Sequence, residues 1–582
     1  MIRHLLSPPV LVLLVLLVLL PAASRAAPPN IVLVMTDDQG YGDLGSTGNP
    51  VISTPHLDAL AAQSGSMSRF YVSPVCSPTR AALMTGRHPY RTRVIDTFKG
   101  RSMMDPDELT IAEALRPAGF TSGIFGKWHL GDNYPLRPQD NGFDEVLVHQ
   151  GGGLAQPSEP LANDSRYTDP ILFHNGEQVQ AKGYCTDVYF DAALGFIRTA
   201  REAGKPFFAY IAPNAPHGPY HDVPDDLYQK YKSLDLTPVL EGNPNSADTV
   251  ARVYAMIENI DQNMGRLTTA LDELGIAENT LVVFMLDNGP NTHRYVGPFR
   301  GTKSHVHEGG IRSPFYLRWP ARIPPGFTSD TMVAHIDVMP TLLEAAGVPI
   351  PEQHPILDGR SFLPLLERKA DLAWPDRTLV IQAHRGDEPI PLHHAAVIRQ
   401  RWKLVHPSGF GREKMPEDVP FELYDIPADP GEANDLASDH PEVVAELKDA
   451  YSEWFEDVST TRPDNFAPPR IVVGTDHQST TILTQQDWRP ADPEGWGSDA
   501  HWQLTFAQDA TYHIRVRWPK PVGPGILTIE AGETRATVEL SEPSSEATLQ
   551  GVAIPAGDAQ LRAGITHEGE RQDGYHVILE RE

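Results

Sequence analysis

Residues 30–45 read NIVLVMTDDQGYGDLG. The run IVLVM at 31–35 is five apolar residues, three of them β-branched, the pattern of a strand buried on both faces. It stops at Thr36-Asp37-Asp38, where polar side chains begin. FFAYIAP at 207–213 and LVVFMLDNG at 281–289 repeat the arrangement: an apolar run with polar residues at its end. Segments of helical periodicity lie between them: TPHLDALAAQS with Thr54 as cap and Pro55 at the first helical position, ELTIAEALRPAG, TDVYFDAALGFIRTARE and DTVARVYAMIENIDQNMGRLTTALDELG. Strands alternating with helices predict a parallel α/β sheet, and such sheets gather ligands beyond the carboxyl ends of their strands. The polar residues at those ends are the first functional candidates.

Working outward, the amino-terminal residues have another character. Arg3 and His4 precede VLVLLVLLVLL at 10–20 and the small residues Ser24 and Ala26. A charged start, a short apolar core and a cleavage site predict a signal peptide over 1–26, not a membrane anchor. The expected destination is secreted or periplasmic, with no membrane insertion after cleavage. The chain has 582 residues and a formal net charge of −28, which argues against nucleic acid and anionic membrane. An anionic substrate would therefore demand locally concentrated positive charge. Only Cys76 and Cys185 could form a disulfide, and nothing in their spacing requires one. Cys185, in GYCTDVYF, reads as a small buried hydrophobe.

The α/β catalytic domain is expected over 27–370. Antiparallel strands with one helix over 371–460 predict a small α+β subdomain. Pro-rich residues at 461–469 read as a linker. Period-two alternation over 470–582 predicts a β-sandwich-like module. Trp488, Trp496, Trp502, Tyr512 and Trp518 in this module could stack on sugars or form its core.

Taken singly, the polar strand ends have bland explanations. Asp37-Asp38 could cap a helix, and Asp287-Asn288-Gly289 is a common turn sequence. Together they offer three carboxylates and an amide, hard oxygen ligands suited to Ca²⁺ or Mg²⁺, while no Cys/His set has zinc spacing. GKWHLG at 126–131 supplies Lys127 and His129, which share a face if they lie on a strand. NAPHGPY adds His217, and RGTKSHVHEGGIRSPF adds Lys303. VCSPTRAALMTGRHP at 75–89 puts Cys76 in the first turn of a predicted helix, beside Arg80. The positive dipole end there favours an anion and would suit a low-pKa nucleophile, though an idle buried Cys fits as well.

DDQGYGDLG, CSPTRAALMTGRHP, GKWHLG, APHGP, DNG and GTKSHVHEGGIR resemble, in order, the signature blocks of the type I sulfatases. This is the formylglycine-dependent family with an alkaline-phosphatase-like fold, a mixed sheet sandwiched by helices. The resemblance covers residues 30 to about 318 and more loosely extends to about 458. The family pattern C-x-P-S-R is met except that Thr79 replaces Ser. It implies that a maturation enzyme oxidises Cys76 to formylglycine (3-oxoalanine). It also implies that Asp37, Asp38, Asp287, Asn288 and the modified Cys76 hold Ca²⁺, with Mg²⁺ as the alternative ion.

By the same resemblance Asp287 serves as base, Arg80 orients the modified residue, and Lys127 and Lys303 bind sulfate. His217 with Lys303 would protonate the leaving oxygen, and His129 would take a proton during sulfate release. The implied substrate is a sulfated carbohydrate, with a galactose-type sugar favoured. The competing readings are a formylglycine-dependent phosphodiester or phosphonate monoester hydrolase, and an inert sulfatase-like glycan-binding protein. Loops at 149–170 and 216–226 are where specificity would reside.

Overall fold

The computed structural model describes residues 27–352, 354–368, 374–411, 414–462, 466–490 and 500–582. The expected signal peptide and Trp496 lie outside the described residues, as does the expected boundary at 370/371. Among the described residues no helix is long and apolar enough to cross a membrane.

The IVLVM run forms the strand Asn30–Thr36 and lies at the heart of a ten-stranded mixed sheet. It pairs in parallel with Phe207–Ala212 on one side and Thr280–Leu286 on the other; Thr121–Lys127 and Glu145–His149 extend the parallel core. Antiparallel and short strands complete both edges. Alternation within the first strand shows why it had to be apolar throughout. Ile31, Leu33 and Met35 pack into one layer with the helices Cys76–Thr85, Ile111–Leu115 and Val338–Ala346. Val32 and Val34 pack into the opposite layer with Pro55–Ala62, Cys185–Glu202 and Ala247–Glu273. Cys185 is a buried free thiol in that second layer.

The four strands Leu379–Gln382, Ala395–Ile398, Trp402–His406 and Glu422–Asp425 form an antiparallel sheet. One face packs on the helix Pro441–Ser459, and the other joins Tyr71, Ala82 and Ile311 of the large domain. From Ile471 onward two further sheets, one of seven strands and one of four, enclose a core that includes Trp488, Trp502, Tyr512 and Trp518. Those four aromatics are interior packing, not an exposed sugar platform. Met103 and Leu136 of the catalytic domain share that core, so the sandwich is fused to its neighbour.

The described residues of the 461–469 stretch are packed as well. Phe466 is buried against Tyr90, Ile95 and Val458, and Arg462 pairs with Asp105, Asp107 and Glu108.

Candidate active site

Strand register builds the site. Thr36 is the partner of Leu286, so the next residues, Asp37 and Asp287, emerge side by side at the carboxyl edge of the sheet. Gly126 is the partner of Ala212, which brings Lys127 and the loop carrying His217 to the same edge. The helix Cys76–Thr85 begins there, and one ligand atom each from Asp37, Cys76 and Asp287 lies within 4.8 Å of the others. Asp37, Asp38 and His217 form a second such group.

Ion pairs knit the charges together. Lys127 Nζ lies 2.6 Å from Asp37 Oδ2, Lys303 Nζ 2.5 Å from Asp38 Oδ1, and Arg80 Nη2 2.8 Å from Asp287 Oδ2. Arg80 also donates to the Lys127 carbonyl at 2.8 Å. His217 Nε2 is 3.6 Å from Asp38 Oδ2, and its Nδ1 donates to the Gly218 carbonyl at 2.7 Å. Asn288 Nδ2 donates to Asp38 Oδ1 at 2.9 Å. Cys76 Sγ lies 3.4 Å from His129 Nδ1. All ten residues singled out in the sequence thus meet in one connected cluster. Its three cations, Arg80, Lys127 and Lys303, each pair with one of three carboxylates, so the cluster turns net positive for an anionic substrate only with a bound cation.

Burial and charge set the protonation tendencies. Burial would raise the Asp38 carboxyl, yet Lys303, His217 and Lys127 hold it well below the usual range. Burial, with Asp37 nearby, pushes Asp287 up to about 6. Burial also lowers His217 to about 4 and holds His129 well below the usual imidazole range, the latter helped by Lys127 and Arg80. Of the two readings left open for the Cys76 thiol, the buried, un-ionised one fits better. Burial pushes the Cys76 thiol up despite Lys127 and Lys303, so as a plain cysteine this residue is a poor nucleophile.

The expected strand placement of His129 is also corrected. The strand ends at Lys127, and His129 has a φ of 59°. A turn, not a shared strand face, brings it to Cys76. Asp38 has a φ of 61° as well. Left-handed backbone at two non-glycine residues costs roughly 1–3 kcal/mol each and persists where surrounding structure enforces it.

The donor set fits a hard cation. Asp37 Oδ1, Asp38 Oδ2 and Asn288 Oδ1 are buried oxygens with no hydrogen-bond partner, an arrangement that is costly unless a cation is bound. Above them opens a cavity of about 400 Å³ lined by Cys76, His129, His217 and Lys303, and also by Phe98, Gln156, Asn291, Arg385 and Phe410. Gln156, Pro157 and His217 of its lining fall in the loops expected to set specificity. Arg385 and Phe410 come from the α+β subdomain and carry no motif that would have marked them.

Thr79 is also accounted for: its hydroxyl accepts from the Ser73 N–H at 3.0 Å and donates to the Asp287 carbonyl at 2.7 Å. In the GTKSHVHEGGIR block, Glu308 and Arg312 serve a different purpose. They form a buried ionic cluster with Lys403 and Glu432 of the subdomain, away from Cys76.

A mixed sheet between helical layers, with this cluster at its carboxyl edge, places the molecule among the alkaline-phosphatase-like α/β proteins. The family model described as Sulfatase matches residues 29–348, and the one described as N-sulphoglucosamine sulphohydrolase, C-terminal, matches 300–457. The chain belongs to the sulfatase family. It is 35% identical to N-acetylgalactosamine-6-sulfatase of Canis lupus familiaris over 58% of its own length and 66% of that protein. It is 32% identical to arylsulfatase A of Bos taurus over 73% of this chain and 87% of that protein. Among solved structures, Ps i-CgsB in complex with k-i-k-neocarrahexaose superposes with a TM-score of 0.64 at 28% identity, covering 75% of this chain and 94% of that one.

Proposed function

We propose that this protein is an exported sulfatase that hydrolyses sulfate esters of a sulfated carbohydrate at Cys76, after a formylglycine-generating enzyme has matured that residue. The observation that carries the reading is the set of three partnerless buried oxygens beside Cys76, ringed by Arg80, Lys127 and Lys303. Asp37, Asp38, Asp287 and Asn288 would hold Ca²⁺. Matured to a hydrated aldehyde, residue 76 would supply one hydroxyl to displace the alcohol from sulfur and a second to expel sulfate, and a cation held by these residues would supply polarisation of the ester.

The remaining roles fall to side chains already in place. Lys127 and Lys303 neutralise charge developing on the sulfate oxygens. Lys303, an ammonium held by Asp38 beside His217, keeps a proton for the leaving oxygen. Asp287, fixed by Arg80, receives a proton from the attacking hydroxyl, and His129 receives one at Nδ1 when sulfate departs. A carbohydrate substrate is supported by the relatives' names and by a sugar-sized cavity whose wall includes Phe98 and Phe410.

The test is sulfate release from a panel of sulfated mono- and oligosaccharides, using full-length protein produced beside the maturation enzyme. Release that disappears in Cys76→Ala is the expected result. Turnover of phosphodiesters with no sulfate release would overturn the reading.

A further inference from the structure

Gln486 belongs to the carboxy-terminal sandwich, beyond both family matches, yet it stands directly behind the active-site wall, against Thr97 and His129. It lies two residues past the strand Thr480–Thr484 and is 1% exposed. Its side-chain amide donates to the Thr97 carbonyl at 2.8 Å and to Ser102 Oγ at 3.0 Å. Its backbone carbonyl accepts the Gly100 N–H at 2.9 Å. Three residues on, Arg489 donates to the Lys99 carbonyl at 2.7 Å. The corner itself is anchored, because Trp502 Nε1 donates to the Thr484 carbonyl at 2.8 Å. The module therefore grips the 97–102 loop of the catalytic domain through main chain and side chain together.

That loop carries the acceptor for His129. His129 Nε2 lies 3.0 Å from the Thr97 carbonyl and 3.3 Å from Gln486 Nε2. The amide hydrogens of Gln486 are committed to Thr97 and Ser102, and an amide nitrogen accepts nothing. Thr97 O is therefore the acceptor for His129 Nε2–H. An imidazole protonated at Nε2 leaves Nδ1 bare, and Nδ1 is the atom facing Cys76 Sγ at 3.4 Å.

We propose that Gln486 is a positioning residue: by fixing the Thr97 carbonyl it selects the tautomer and ring orientation of His129, which makes the carboxy-terminal sandwich a working part of the active site. This rests on the sulfatase reading for the role of His129.

The test uses the full-length chain carrying Gln486→Met, which keeps the side-chain length and removes the amide. Ser102→Ala serves as a milder second variant that takes away one anchor. With matured enzyme, kcat should fall about tenfold or more in Gln486→Met with KM little changed. The independent readout is ¹⁵N NMR of histidine-labelled protein with Cys76 left unmodified, where His129 is assigned from the signal lost in His129→Gln. The wild type should show Nε2–H, and Gln486→Met should move toward a tautomer mixture, with Ser102→Ala shifted the same way by less.

A Gln486→Met enzyme that keeps both kcat and the wild-type His129 signature would overturn the proposal. If that variant does not fold, an unshifted signature with unchanged kcat in Ser102→Ala overturns it instead. A His129→Gln enzyme with full kcat would remove the histidine from the reaction. That failure belongs to the underlying reading, and it is told apart because the Gln486→Met spectrum would still shift.

Discussion

The His129 ring packs against the backbone of Gly152 with no room for a methyl group between them. A Cβ on Gly152 would meet His129 Cε1 at 2.8 Å and Nε2 at 2.9 Å, as well as Gln156 Oε1 at 2.4 Å. The glutamine can swing aside, but the imidazole is held between Thr97 and Cys76. Gly152→Ala should therefore leave global stability near wild type while lowering kcat about tenfold or more, read from paired denaturation and turnover measurements. Thr79 makes the complementary case. Thr79→Val loses the bond to the Asp287 carbonyl and should cost about 1–3 kcal/mol in urea denaturation, whereas Thr79→Ser retains the hydroxyl and most of the stability. At this scale the sequence was informative wherever a polar residue directly followed an apolar run, as with Asp37 and Asp287. It was silent on Gln486 and Arg385, because their proximity to Cys76 arises from tertiary packing across hundreds of residues and no local pattern encodes it.

The central strands bring carboxylates together at their ends because the register leaves no alternative. Parallel pairing of Asn30–Thr36 with Thr280–Leu286 forces Asp37 next to Asp287. Lys127 and Arg80 pair with those two carboxylates, and a bound cation would take up the oxygens left without hydrogen bonds on Asp37, Asp38 and Asn288. Exhaustive chelation should lower the Tm and abolish sulfate release, and added Ca²⁺ should restore both. Calcium at about 100 times its Kd would add about 2.7 kcal/mol. A Tm indifferent to chelator and to Ca²⁺ would count against the metal site. The long buried strands and amphipathic helices were legible because their periodicity is strong. The short strand Gly65–Met67 was not, having only three residues, and the left-handed turn at His129 was missed because nothing in GKWHLG marks a positive φ at a non-glycine residue.

For the molecule as a whole, buried polar clusters join parts that the sequence shows only as a succession of textures. Lys403 Nζ bridges Glu308 Oε1 at 2.9 Å and Glu432 Oε1 at 2.8 Å, all three fully buried where subdomain meets catalytic domain. Lys403→Met leaves Glu432 without its buried cation and Glu308 with Arg312 alone, and should destabilise by about 3–5 kcal/mol, with hydrogen exchange rising first in the strands at 395–398 and 402–406. Acid should act through buried histidines. Burial, with His88 and Arg377 adding repulsion, holds His335 down to about 3. The unfolded chain then binds the proton near pH 6.5 and the folded chain does not, so stability is intact above pH 6.5 and declines toward pH 3. The slope is about 1.4 kcal/mol per pH unit for this residue, and His335→Gln should flatten the Tm profile between pH 6.5 and 4.

The most direct test of the account is the mass of the tryptic peptide carrying Cys76, from protein produced beside a formylglycine-generating enzyme. The account predicts the mass loss that accompanies replacement of the thiol by an aldehyde, together with an aldehyde-specific label on that peptide. An unmodified thiol in the presence of a competent maturation enzyme would contradict it.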